Sequence, residues 1–361
     1  MDLSLLHNIQ IDNDFLEDVI KNNEYNEKII DYYLTLQKEL GKSLNSNIES
    51  ITHCNSIWQL DKYKEQKIKD FKKTNLCKDK FCNNCKKVKQ ASRMTKFIPH
   101  LDKLEEEFDL YHVVLTVPNV EGHDYFKLKE VIKKMFYSYR KLNRFLLSID
   151  KIKFLDFYQY CYVGGIRSLE VSFNNDSYHP HLHCIFVMKK DLNFIKKFIN
   201  KYSIDKFGKK KIRKFSSFEI LIQKIWYLLN NDIKVTKDNI DNLDIGYSCM
   251  VDKVDEKAYY EVFKYMTKSN NEKDEFLSYD NFKVLYFALK SVRQIQGYGI
   301  LYGIKDEDLS EEVDFYYNKL IEELQKKESP AEVFEAPEDV LNEKEYLVIS
   351  RKKIFSYLRT L

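Results

Sequence analysis

The spacing of apolar residues changes along the chain, and each change predicts a new element. Residues 1–50 are polar and Asn-rich, with Phe15, Val19 and Ile20 and then Ile29, Ile30, Tyr33 and Leu34 at helical spacing. Helix is expected there, with no assignable chemistry. His112-Val-Val-Leu-Thr-Val117 is a short β-rich run stopped by Pro118-Asn119, the pattern of a buried strand. Tyr125 to Leu147 has the stripe of an amphipathic helix. Two β-rich stretches, 158–174 and 180–188, flank the turn-like Asn174-Asn175-Asp176-Ser177 and predict a hairpin. Helices are expected at about 191–203 and 216–230, on either side of the basic run Lys206 to Lys214. A strand follows near 246–253, then helices at about 255–268, 278–290 and 309–327. The Pro-containing stretch from Glu328 to Pro337 is the best linker. Hairpins mixed with helices point to an α+β fold, a central antiparallel sheet with flanking helices, and not to a doubly wound sheet.

Composition narrows the class. The 361 residues are 44% hydrophobic and 32% charged, enough apolar surface for a core and too much for wholesale disorder. That length suggests two domains, or one large domain with appendages. Only 9 Gly and 5 Pro argue against collagen-like and Gly-loop architectures. No apolar run approaches a membrane span, and Met1 to Phe15 lacks the basic start of a secretory leader, so a cytoplasmic protein with no membrane partner is expected. The net charge of +3 names no partner, but its distribution does more. Between Asp61 and Phe97 there are 13 Lys/Arg against 4 Asp/Glu, whereas from Leu301 to Leu361 there are 9 against 15. A polyanion is expected on the first region and not on the last.

Seven cysteines, an odd number, do not make a disulfide framework. Cys161, Cys184 and Cys249 sit singly in apolar stretches and suit a core. Cys77, Cys82 and Cys85, with Cys54 upstream, offer four thiolates, enough for a tetrahedral structural Zn²⁺. His53 is the alternative to Cys54. The stretch Tyr178-His-Pro-His-Leu-His-Cys-Ile-Phe-Val187 carries three of the chain's eight histidines. On a strand, alternation puts His179, His181 and His183 on one face, where neighbouring imidazoles can share one divalent ion. Such a pair needs a carboxylate from an adjacent strand, and Glu170 on the preceding hairpin arm is the candidate. Further on, a helix through Lys257 to Asn270 would align Glu261, Tyr265 and Lys268. A tyrosine hydroxyl, with its pKa of about 10, needs a cation on its electrophile to react near neutrality.

The order Thr116-Val-Pro-Asn119, then His179-Pro-His-Leu-His183, then Glu261-x3-Tyr265-x2-Lys268 resembles the HUH-endonuclease replication initiators of rolling-circle plasmids. More narrowly, it is similar to the Gram-positive plasmid class whose third motif pairs one Tyr with a Glu four residues before it. Gly164-Gly-Ile-Arg-Ser-Leu-Glu170, Ser291-Val-Arg-Gln-Ile-Gln-Gly-Tyr-Gly299 and the four cysteines carry the same resemblance, which covers roughly 51–302. It implies an HUH, palm-like nuclease fold and a metal-dependent DNA nickase and strand transferase. His181 and His183 match the metal pair, with His179 a further imidazole; Tyr265 matches the nicking residue. Glu261 matches the acid that activates the terminating water, Lys268 a basic residue of that motif, and Thr116 a structural position. Tyr259 and Tyr260 lie near Glu261, and Tyr265 is preferred because Tyr260 points elsewhere on a helix.

The expected cofactors are Mg²⁺ or Mn²⁺ at His181, His183 and Glu170, and structural Zn²⁺ at Cys54, Cys77, Cys82 and Cys85. Expected partners are origin DNA, single-stranded or as a hairpin, with a host helicase and a DNA polymerase. Lys86, Lys87 and Lys89, and Lys209, Lys210 and Lys211, are expected to contact phosphates without reading sequence. Four segments result: a helical extension (1–50), a basic zinc module (51–97), the endonuclease domain (98–302) and an acidic extension (303–361). The rivals are a relaxase or single-tyrosine transposase of the same superfamily, and a non-enzymatic zinc-dependent DNA-binding regulator.

Overall fold

In the computed structural model the chain forms two compact units, Met1–Lys89 with Asp308–Leu361, and Gln90–Glu307. The sequence had suggested four segments. The structure describes residues 13–54, 57–62, 68–74, 77–83, 85–86, 97, 100–174, 176–190, 195–204, 210–244, 246–254, 262, 267–269, 277–303 and 345–350. The helix expected at 309–327 and the linker at 328–337 lie outside them.

In the first unit, helix α1 (Asn13–Leu40) buries Tyr25, Ile29, Tyr33 and Leu36, a single stripe at helical spacing. Helix α2 (Asn45–His53) adds buried Ile51. Strands β1 (Ile57–Lys62) and β2 (Ile68–Thr74) pair antiparallel, and β12 (Glu345–Ser350) pairs with the other edge of β1. The acidic C-terminal segment therefore contributes a strand to this unit and is more than an extension.

The second unit is built on one mixed sheet. Strand β3 (Phe108–Thr116) begins earlier than the apolar run suggested, and β4 (Val120–Glu121) follows the Pro118 break. Helix α3 (Tyr125–Leu146) is capped by Asp124, whose carboxylate accepts the Lys127 amide at 3.0 Å. It buries Leu128, Ile132, Met135, Tyr139, Leu142 and Leu146 along one face. The expected hairpin forms from β5 (Tyr162–Asn174) and β6 (Ser177–Lys189). After it come β7 (Ile199–Ile204), β8 (Lys210–Phe215), α4 (Ser217–Asn230), α5 (Lys237–Asp241), β9 (Cys249–Lys253), β10 (Thr267–Ser269), α6 (Tyr279–Ala288) and β11 (Ile295–Gly299). The main sheet runs β10-β5-β6-β3-β9; β11 also pairs with β5, and β4 with β6.

Two expected helices are corrected. Ile195, Phe198, Ile199 and Tyr202 have helical spacing, but Ile199 pairs with Phe215 and Tyr202 with Ile212 in a β7–β8 hairpin. Spacing within a segment cannot report the strand it will pair with. Likewise Thr267–Ser269 is a strand, parallel to β5 at Val171–Phe173, so no helix continues through Lys268. β11 occupies only the Gly164–Ser168 part of the β5 edge, and β10 satisfies backbone groups further along it.

The register gives the sheet two chemically different faces. Helices cover the face bearing Leu169, Leu182, Cys184 and Phe186, all fully buried. On the other face, Leu110, Ile166, Ile185, Val187 and Ile295 pack with Phe97, Leu101, Val262 and Leu301. Towards the hairpin turn, that same face changes from aliphatic to imidazole and carboxylate. The β5–β11 junction joins two stretches that the sequence had singled out. Backbones approach so closely there that a Cβ on Gly164 would lie 2.5 Å from the Tyr298 carbonyl oxygen. Arg167, 2% exposed, donates to the Gln294 carbonyl (3.1 Å), Gln296 Oε1 (3.1 Å) and Tyr298 Oη (3.3 Å), fastening β11 to β5.

Candidate metal centres

Cross-strand register assembles the first centre. His181 pairs with Glu170 on β5 and with Thr116 on β3; His183 pairs with Ser168 and Val114. Glu170, His181 and His183 are buried, and each offers a ligand atom within 4.8 Å of the others. Nδ1 of His181 lies 3.0 Å from the His179 carbonyl, which can only accept, so the ring proton sits on Nδ1. Its Nε2 therefore presents a lone pair, 3.2 Å from Glu170 Oε2. Nε2 of His183 lies 3.0 Å from the same oxygen. Adjacent ligands of an octahedral ion with bonds of about 2.1 Å stand about 3.0 Å apart, so this donor set fits one divalent cation. The preceding-strand carboxylate anticipated from sequence is thus in place.

His112 was not recognised from sequence. Its Nε2 lies 3.1 Å from His183 Nδ1, and the two rings stack with centroids 5.3 Å apart. With the His183 proton on Nδ1, donated to His112, Nε2 is left for a metal. The only available signal was its place at the start of the β3 run, and residue 112 is distant from 183 in sequence.

His179 is not brought into the cluster. Its Nδ1 donates to Asn119 Oδ1 at 2.7 Å, while its ring stacks on His181. Burial, and secondarily the neighbouring His181, lower its pKa to about 4. Asn119 also donates to Ser177 Oγ at 3.0 Å, tying the first motif to the start of β6. The Thr116 carbonyl accepts the Trp226 indole N–H at 2.7 Å, anchoring the end of β3 to α4, and its hydroxyl donates to the Ser248 carbonyl at 3.5 Å. Glu261, Tyr265, Tyr259 and Tyr260 lie outside the described residues. Lys268, on β10, pairs in register with Ser172 and not along a helix with Tyr265.

The second centre is in the first unit. Cys54, Cys77, Cys82 and Cys85 converge, with Sγ–Sγ distances of 3.4 Å (Cys54–Cys82), 3.5 Å (Cys77–Cys85) and 3.6 Å (Cys54–Cys85). Tetrahedral zinc with bonds of about 2.3 Å separates its sulfurs by about 3.8 Å, so modest expansion admits the ion. Hydrogen bonds from the Cys54, Cys77 and Cys85 thiols hold the Cys82 thiol well below its ordinary range. His53 does not belong to this four-cysteine group.

Residues 1–50 supply part of the wall. Asn26 Nδ2 donates to Cys82 Sγ at 3.4 Å, while its Oδ1 accepts the Asn83 amide at 3.0 Å. Asp79, inside the cysteine loop, accepts from Tyr33 Oη (2.8 Å), Asn47 Nδ2 (3.1 Å) and the Phe81 amide (2.8 Å). Lys86, expected on DNA, has Nζ 3.3 Å from Tyr25 Oη and over that ring. Lys87, Lys89 and Lys209 lie outside the described residues; Lys210 and Lys211 are on β8. Among the described residues no helix is long and apolar enough to cross a membrane.

A Staphylococcus aureus "Protein rep" is 27% identical over 160 residues, covering 43% of this chain and 64% of that protein, just under two thirds of its length. No solved structure matches. Residues 68–346, which include the His strand and three of the four cysteines and end two residues into β12, match the Replication protein (Rep_1) family. The chain belongs to that family.

Proposed function

We propose that this chain initiates rolling-circle plasmid replication by nicking one strand of origin DNA through Tyr265. The observation that carries the reading concerns the chain around that tyrosine. Val262 is fully buried among Ile166, Ile185 and Ile295, on the sheet face that also bears Glu170, His181 and His183. Thr267, two residues beyond Tyr265, pairs with Val171, next to Glu170. Val262 and Thr267, which bracket Tyr265 in the sequence, are thus both next to residues of the metal group's sheet, and this supports the reading.

Glu170, His181 and His183 hold Mg²⁺ or Mn²⁺ in this reading, and a bound cation supplies Lewis-acid polarisation of the scissile phosphate. The phenol oxygen of Tyr265 attacks phosphorus and the P–O3′ bond breaks. The products are a 5′-phosphotyrosine and a free 3′-OH, which takes up the proton and primes a polymerase. Glu261 takes a proton from the water that ends the cycle. Zinc held by Cys54, Cys77, Cys82 and Cys85 is structural, since four protein ligands leave no open position. A host helicase and polymerase complete the process, with the protein acting in the cytoplasm.

Incubating the full chain and Mn²⁺ with a labelled single-stranded origin oligonucleotide tests this proposal. An adduct that survives SDS is expected from the native chain and not from Tyr265→Phe. An adduct retained by Tyr265→Phe moves the nucleophile to another tyrosine.

A further inference from the structure

The β7–β8 hairpin is a two-stranded sheet that joins neither of the larger sheets among the described residues. Residues 195–215 contain nine Lys/Arg and one acidic residue, Asp205. Lys201 stands directly opposite Arg213 in the register, a like-charge pair that destabilises a hairpin. Isolated two-stranded ribbons are already marginal in water. At the root of the hairpin, charge is paired. Lys197 Nζ lies 2.5 Å from Asp252 Oδ1 and 3.3 Å from Glu219 Oε1. Glu219 is fully buried and also accepts the Ser216 and Val251 amides, so the root is fixed to α4 and β9.

The hairpin also has a defined position relative to the metal group. Arg213 reaches Met250 Sδ at 3.7 Å. Met250 pairs with Val114, which pairs with His183, so all three share one face of the sheet. With strands about 4.8 Å apart, Met250 stands about 10 Å from the His183 position. A ribbon rooted at this edge stands beside the candidate nicking site.

We propose that β7–β8 is a duplex-binding ribbon that grips the double-stranded DNA flanking the nick site. The major groove admits a two-stranded ribbon, and six-residue strands run about 20 Å along it. Alternation puts Lys201, Lys211 and Arg213 in one file and Lys210 and Lys214 in the other, so phosphates can be met on both sides of a groove. This deepens the proposed function by assigning duplex DNA to one element, but it is tested without any cleavage.

Phosphate contacts are independent of sequence, so an arbitrary 30-base-pair duplex and an equally long single strand serve as probes. The full chain is compared with the triple variant Lys210→Gln, Lys211→Gln, Lys214→Gln across a salt series. Three lost contacts should reduce the slope of log K against log[salt] by about 2–3 for the duplex, with affinity down about 10²-fold at 0.1 M salt. The single-strand slope should change by less than about 1, and the triple Lys→Arg variant should keep the native duplex slope. An unchanged duplex slope overturns the proposal; so does an equal drop on the single strand, which would make the ribbon a general polyanion contact. Failure to form a Tyr265 adduct would sink the nicking reading and leave this slope measurement decisive for the ribbon.

Discussion

His181 and His183 reach the same carboxylate oxygen, yet their remaining nitrogens are held differently. His181 donates to a carbonyl fixed by β6 itself, whereas His183 relies on another side chain, His112. Replacing His181 or His183 with Ala removes a ligand and should abolish both Mn²⁺ binding and nicking. His112→Ala leaves all three ligands but frees the His183 ring to turn and to change tautomer. Its Mn²⁺ dissociation constant should rise about 10–100-fold, the usual cost of losing a partner behind a ligand. His112→Gln, which keeps an acceptor, should recover part of that loss. Direct Mn²⁺ titration of the metal-free protein measures this, and native affinity in His112→Ala would remove its orienting role. That His181 and His183 share a face was legible in the sequence because alternation on a strand is local, and the place of Glu170 beside them because it lies one hairpin away. His112 was not, because the β3–β6 register that delivers it is set by pairing between distant segments.

At the scale of elements, local pattern and partner choice decide different things. Helix α3 and the β5–β6 hairpin were readable from their own residues: a stripe, a cap and a turn. β7 and β10 were not, since each is a strand by virtue of what it pairs with. The cysteine loop shows the same dependence. Its spacing marked the four thiols, but the carboxylate of Asp79 gathers Tyr33 of α1, Asn47 of α2 and the loop's own Phe81 amide. Burial pushes the Asp79 carboxyl above its ordinary range, against the pull of those hydrogen bonds. Asp79→Ala should cost about 2–4 kcal/mol, from roughly 1 kcal/mol for each of three lost bonds plus the donors left behind. Urea unfolding followed by far-ultraviolet circular dichroism measures the loss; an unchanged midpoint would show that α1 and α2 hold the loop by apolar packing alone. Metal analysis should find one zinc per chain, and Cys82→Ser should lose it along with helical signal. A zinc-free native protein would refute the structural-zinc assignment.

At the scale of the whole chain, the N- and C-terminal segments left without a role by the sequence both enter the first unit: α1 and α2 line the cysteines, and β12 completes the β1–β2 sheet. Neither was legible, because one contributes through side-chain hydrogen bonds and the other through pairing across almost the entire chain. What the whole molecule must do, in the proposed function, is start a round of replication and also stop it. The first attack needs a tyrosine and a cation. The last needs a water that gives up a proton as it attacks, and Glu261 is the assigned acceptor. Glu261→Gln should therefore still form the Tyr265 adduct, because the amide leaves the tyrosine and the Glu170–His181–His183 group untouched. Hydrolysis should slow by about 10²–10⁴, the usual loss when a general base is removed. On a plasmid carrying two origins, the variant should nick at a nearly native rate and accumulate displaced strands longer than one unit. Equal loss of nicking and termination would instead make Glu261 a metal ligand or a structural residue, and the chain would need another base to end the cycle.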